Sequence, residues 1–104
     1  MFSATVLYPK TAESHFDLAY YLDSHTPLVR EVLTPEGLLS VDLRTGLAGA
    51  APDTLPAYAM ICNLNFGTLE EIQNALAKHG PELLADIPNF TDVVPEIQIS
   101  ESVG

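Results

Sequence analysis

The sequence predicts an α+β domain in which four antiparallel strands and two helices follow one another as β-α-β-β-α-β, with both helices on one face of the sheet. Three observations carry this expectation. Ser3 to Tyr8 alternates, with Ala4, Val6 and Tyr8 on one side and Ser3, Thr5 and Leu7 on the other, the period of a strand. Tyr58, Met60, Cys62, Leu64 and Phe66 repeat that period through a far more apolar run. Two segments of helical spacing follow these strands, the second opened by Thr68-Leu69-Glu70-Glu71, in which Thr68 and Glu71 form a capping box.

In chain order, the first strand covers Ser3 to Tyr8 and stops at Pro9. A polar loop through Lys10 to His15 leads into a first helix over Phe16 to Leu33, whose apolar stripe reads Leu18, Leu22, Val29 and Val32. His25 falls three residues after Leu22 and four after Tyr21, so the imidazole is expected to face inward. Pro27 has no N–H for the carbonyl of Asp23, and the helix must bend or restart there. Thr34-Pro35-Glu36-Gly37 ends it. Leu38 to Arg44 alternates as a second strand. Thr45 to Pro56, TGLAGAAPDTLP, has no period and reads as a loop. The third strand covers Ala57 to Phe66. The second helix starts after Thr68, buries Leu69, Ile72, Ala75 and Leu76, and is expected to be interrupted at Gly80-Pro81, with a further short turn through Asp86. A loop over Ile87 to Asp92 precedes a last strand from Val93 to Ile99. This is the ferredoxin-like arrangement.

Two helices cover one face of such a sheet and leave the other bare. Ala57, Ala59 and Ile61 keep much of that second face apolar in strand three, which predicts a homodimer closing two sheets face to face into a dimeric α+β barrel with an interior pocket. The 104 residues make one domain, 1–104. Fourteen acidic residues against Lys10, Arg30, Arg44 and Lys78 give a net charge of -10, which repels phosphate backbones and anionic lipid, so neither nucleic acid nor a membrane is an expected partner. No segment approaches the roughly twenty apolar residues that cross a bilayer. The single cysteine, Cys62, excludes an internal disulfide framework, and a reduced, cytoplasmic setting is the expectation.

His25 is the leading candidate for chemistry, because an imidazole on an apolar, broken helix can exchange a proton with a ligand. The same spacing also fits a buried neutral histidine bonded to backbone. Tyr21 shares its stripe and is the second catalytic candidate, while Tyr20, Pro27 and Phe90 are the candidate ligand contacts around it. His79, before Gly80-Pro81, suits a helix C-terminus, and His15 reads as a loop residue. No HxxxH, HxH or ExxH pair occurs, no GxSxG and no Gly-rich phosphate turn, so neither metal nor cofactor is expected.

Several separated blocks carry a family resemblance over nearly the whole chain: VLYP at Val6 to Pro9, FDLAYYLDSHTPLV at Phe16 to Val29, LNFGTLEEIQNALAKHG at Leu64 to Gly80, and ADIPNFTDVVPEIQISE at Ala85 to Glu101. In this order they resemble the EthD family, named for ethyl tert-butyl ether degradation, within the dimeric α+β barrel superfamily. The resemblance implies a homodimer enclosing an apolar cavity with His25 near its lining, and Thr26 stands where such proteins often carry methionine. It implies a protein of oxidative catabolism, oxidoreductase-associated, that binds a small hydrophobic organic molecule and acts on it by cofactor-independent acid/base, monooxygenase-type or cyclase-type chemistry. The alternative is a non-catalytic carrier or protective binding module using the same cavity.

Overall fold

In the computed structural model, which describes residues 1–104, β1 spans Phe2–Pro9, β2 Leu38–Thr45, β3 Tyr58–Phe66 and β4 Glu96–Glu101. All pair antiparallel in the order β2-β3-β1-β4, so the first strand lies at the centre beside the third, as the β-α-β-β-α-β arrangement requires. Register follows the alternation. Val6 faces Cys62 on one side and Ile97 on the other, which puts Ala4, Tyr8, Met60, Cys62, Leu64 and Phe66 together on one buried face.

That face is covered by helices. The first helical segment comprises α1, Leu18–Tyr20, a single π-helical turn, Tyr21–His25, and α2, Thr26–Leu33. A 3-10 turn at Thr34–Glu36 follows, and Gly37 leaves it at φ 110°, a conformation that L side chains resist. The longest helix, α3, spans Leu69–Asp86. Thr68 accepts from the Glu71 N–H at 3.1 Å, so it caps the helix as expected, and the Glu71 carboxylate accepts from the Thr68 hydroxyl rather than from the Thr68 N–H of a full capping box. No helix is long and apolar enough to cross a membrane.

Three expectations are corrected. Gly80-Pro81 does not interrupt α3, which continues to Asp86 with Pro81 inside it. Glycine lacks the Cβ that crowds a following proline ring, so the pair is tolerated in a helix held by the burial of Ile72, Ala75 and Leu83. The last strand begins at Glu96 rather than Val93, because Pro95 offers no N–H to a ladder. In the first helix Leu18 and Leu22 are 39% and 47% exposed, and the buried stripe is instead Tyr21, His25, Val29 and Leu33. The π turn, with its wider pitch, rotates the residues before it relative to those after it, so a stripe counted at 3.6 residues per turn does not run straight through.

The uncovered face of the sheet is less apolar than its third strand suggested. Ser3 donates to Asn65 at 2.5 Å and Thr5 to Asn63 at 2.6 Å, with Leu7 and Ile61 paired beside them. The core divides into two clusters. One, around Ala4, Leu33, Leu64, Phe66 and Ile72, lies between the helices and the sheet. The other gathers Tyr8, Tyr21, Met60, Ile87 and Phe90 at the end where the first helix begins.

Candidate functional site

Where the two clusters meet, packing is incomplete and a cavity of about 150 Å³ remains. Its wall is mostly apolar, drawing Val6, Leu43 and Cys62 from the sheet, Val29 from α2 and Leu83 from α3, and no Lys, Arg, Asp or Glu lines it. Beside the pocket expected between two copies of the sheet, one chain thus forms a partly open cavity of its own, between helices and sheet. An apolar space of this volume accommodates a benzene-sized molecule.

The π turn places the polar groups of this cavity. Asp17 caps α1 by accepting from the Tyr20 N–H at 3.0 Å, and at the far end of the π turn the Thr26 N–H reaches back to the Tyr21 carbonyl. The turn brings Tyr21, His25 and Thr26 to the cavity wall, all of them buried. Single π turns inside α-helices occur frequently at functional sites.

His25 Nδ1 lies 2.8 Å from Asp86 Oδ2, at the last residue of α3. The other carboxylate oxygen accepts from the Tyr20 hydroxyl at 2.8 Å and from Asn89 Nδ2 at 2.9 Å. Desolvation pushes the Asp86 carboxyl upward, but the hydrogen bonds from Asn89, His25 and Tyr20 together outweigh it and hold the group below the usual carboxylate range. An ionised carboxylate only accepts, so Nδ1 is the protonated nitrogen of the neutral imidazole. Nε2 then carries the lone pair, and no protein group bonds it. Two rings hold the imidazole: Tyr21 is stacked at 5.4 Å between centroids, and Phe90 packs at 4.7 Å with a 52° tilt.

Their surroundings keep the buried phenols and the thiol protonated and neutral. Burial, with Cys62 and Tyr8 as neighbours, pushes the Tyr21 hydroxyl far above the usual phenol range, and burial does the same to Tyr8. Burial also pushes the Cys62 thiol up to about 11, which leaves little thiolate at neutral pH.

His25 and Tyr21 thus share the cavity wall, whereas the three residues expected as ligand contacts do not line it. Tyr20 lies outside, its hydroxyl on Asp86. Pro27 is exposed, just past the π turn at the start of α2. Phe90 is buried behind the imidazole and packs against it rather than forming the wall. Sequence reasoning missed Asp86, which lies 61 residues from His25, and Thr26. The one available signal for Asp86 was its place at a helix end, where a carboxylate opposes the dipole and asks for a partner.

No protein-family model and no curated protein matches the chain. Solved structures do. A crystal structure of an antibiotic biosynthesis monooxygenase shares the fold, with a TM-score of 0.51 at 16% identity, each chain covered completely. An ethyl tert-butyl ether degradation (EthD) family protein from Bacillus halodurans superposes with a TM-score of 0.75 at 20% identity, over 99% of both chains. An EthD-like protein from Ralstonia eutropha superposes with a TM-score of 0.89 at 38% identity, over 96% of this chain and 89% of that one. With identity at that level sustained along nearly the whole of both proteins, the chain belongs to the EthD family.

Proposed function

We propose that this protein binds a small hydrophobic organic molecule in the cavity and that His25 moves a proton to or from it, as a step of oxidative catabolism that needs no resident cofactor. The observation that carries this reading is the His25–Asp86 pair at 2.8 Å, which leaves Nε2 as the lone-pair nitrogen of a residue that lines a mostly apolar cavity. Nε2 is the base. It accepts a proton from an acidic O–H or C–H of the bound molecule, and the Asp86 carboxylate stabilises the imidazolium that results. Asp86 stays ionised throughout, and the low polarity of the wall strengthens its pull on the imidazolium. Positioned general-base catalysis of this kind contributes about 10²- to 10⁴-fold.

The test pairs binding with turnover. A panel of small neutral organic molecules is screened for thermal stabilisation of the protein, and those that bind are followed for chemical change. His25→Ala is expected to retain binding and to lose roughly 10²-fold or more in turnover. Equal turnover by both proteins would remove His25 from the mechanism, and binders that are never transformed would favour the carrier reading.

A second copy of the chain is the proposed occupant of the uncovered sheet face, supported by the apolar pair Leu7 and Ile61 beside the Ser3–Asn65 and Thr5–Asn63 bonds. Sedimentation at micromolar concentration is expected to give twice the mass of one chain. A stable monomer would overturn the dimer and leave the cavity, whose walls come from one chain, unaffected.

A further inference from the structure

Leu76, Gly80 and Leu84 form a row along one side of α3, each one turn from the next, and all three line the cavity. The middle member has no side chain. A Cβ built at Gly80 would meet no atom within 4 Å, so the row has a gap there and not a close approach that demands glycine. The backbone makes no such demand either, since Gly37 is the glycine with a positive φ. Glycine inside a helix is a cost against alanine, and here it leaves open space. Ile97 belongs to the same wall. It pairs with Val6 and so shares the helix-covered face of the sheet, on the outer strand β4. Leu84 at 49% and Ile97 at 48% are the most exposed of the residues lining the cavity, which puts its mouth at this edge, between α3 and β4.

We infer that Gly80 is the specificity-determining residue of the cavity: its missing side chain keeps the mouth open, so that a ring held among Val29, Cys62 and Leu64 can carry an unbranched apolar chain outward past Leu84 and Ile97. This rests on the cavity being the binding site proposed above. A volume of about 150 Å³ suits the ring itself, and the chain needs the further room that the gap supplies. The way out is apolar. Leu76, Leu84 and Ile97 border it and no Lys, Arg, Asp or Glu lines the cavity, so each carbon of the chain gains by leaving water there. Pro81 gives Gly80 a second reason to be glycine, because a Cβ on the preceding residue crowds the proline ring. That reason alone predicts that any side chain at position 80 weakens α3 whatever the ligand. An open mouth predicts that ligands are sorted by length.

Benzene and n-propylbenzene separate the two, since they share a ring and differ in the chain. Titration of the wild-type protein by calorimetry is expected to show n-propylbenzene binding at least roughly tenfold more tightly than benzene. Gly80→Leu, which completes the leucine row, is expected to cut that preference by roughly tenfold while keeping benzene affinity within about threefold. Gly80→Ala crowds Pro81 in the same way but fills little of the gap, and is expected to retain most of the preference. Nuclear Overhauser contacts in the wild-type complex give a readout that does not depend on Gly80→Leu folding: the terminal methyl of the chain is expected beside the Gly80 Hα protons and the methyls of Leu84 and Ile97. Equal binding of the two compounds by the wild type, an undiminished preference in Gly80→Leu, or a chain that contacts none of those protons would overturn the inference and leave the cavity as a binding site. Binding of neither compound would overturn both the inference and the reading of the cavity as a binding site.

Discussion

Asp86→Asn is expected to slow proton transfer by His25 by about 10²- to 10⁴-fold while the protein keeps its fold. The reason lies in who already occupies the carboxylate. Tyr20 and Asn89 both donate to Oδ1, so an amide at this position must turn its oxygen toward them and its NH₂ toward His25 Nδ1. Nδ1 then has to accept, the proton moves to Nε2, and the cavity faces a donor where it had a base. Nitrogen-15 spectra of the imidazole read this change without any substrate. An unchanged tautomer together with unchanged turnover would remove Asp86 from the mechanism. Acid adds a second signature, with a definite sign. The folded-state carboxyl is depressed, so its stabilisation is fully present above the unfolded value of about 4 and is lost as pH falls through the lower folded value. Any stability gap between wild type and Asp86→Asn at neutral pH should therefore close below about pH 4.

The dependence on Asp86 also marks where the sequence stops being informative. Strand alternation, the Thr68 N-cap and the break at Gly37 are local signals, each confined to a few residues, and all three appear in the structure at the places expected. The inward aim of His25 was legible from its place four residues after Tyr21, which is buried, whereas its spacing from Leu22 pointed to an exposed side chain. What failed was the continuation of one helical period through Leu18 and Leu22. Hydrophobic spacing assumes a fixed pitch, and the π turn changes the pitch inside the segment being counted. The Gly80-Pro81 pair misled in the opposite direction. Its local preference for breaking a helix is real, but the burial of Ile72, Ala75 and Leu83 on the same helix outweighs it. The carboxylate partner of His25 had no local signal at all, because it arrives from the far end of α3 through the tertiary fold.

These two misreadings bear on the same cavity. The π turn delivers Tyr21, His25 and Thr26 to one wall, and uninterrupted α3 carries Asp86 far enough to meet the imidazole. Gly80 also lines the cavity, and a Cβ built there would meet no atom within 4 Å. An irregular helix and a helix that continues through its breaker thus both contribute residues to the wall of one cavity.

Phe90→Ala is expected to cost about 3–5 kcal/mol of stability. Phe90 is 1% exposed, and its ring lies 5.6 Å from Tyr8, 5.4 Å from Phe16, 5.1 Å from Tyr21 and 4.7 Å from His25. It is the hub of the second cluster, and its backbone holds the same junction, since its carbonyl accepts from the Asp17 N–H at 2.7 Å where the first helix begins. Against a total of about 5–15 kcal/mol for a domain, the loss lowers the thermal midpoint by at least roughly 12 °C, readable by circular dichroism. Phe90→Leu refills much of the volume and should recover more than half of that loss, yet it cannot replace the aromatic face on the imidazole. The two variants therefore separate stability from alignment. If His25 is aimed by the Phe90 ring, Phe90→Leu will be clearly more stable than Phe90→Ala but will show broadened imidazole resonances and slower proton transfer. Sharp resonances and full turnover in that variant would mean that the Asp86 bond alone aims the base, and a Phe90→Ala loss below about 1 kcal/mol would mean that the second cluster opens independently of the rest of the fold.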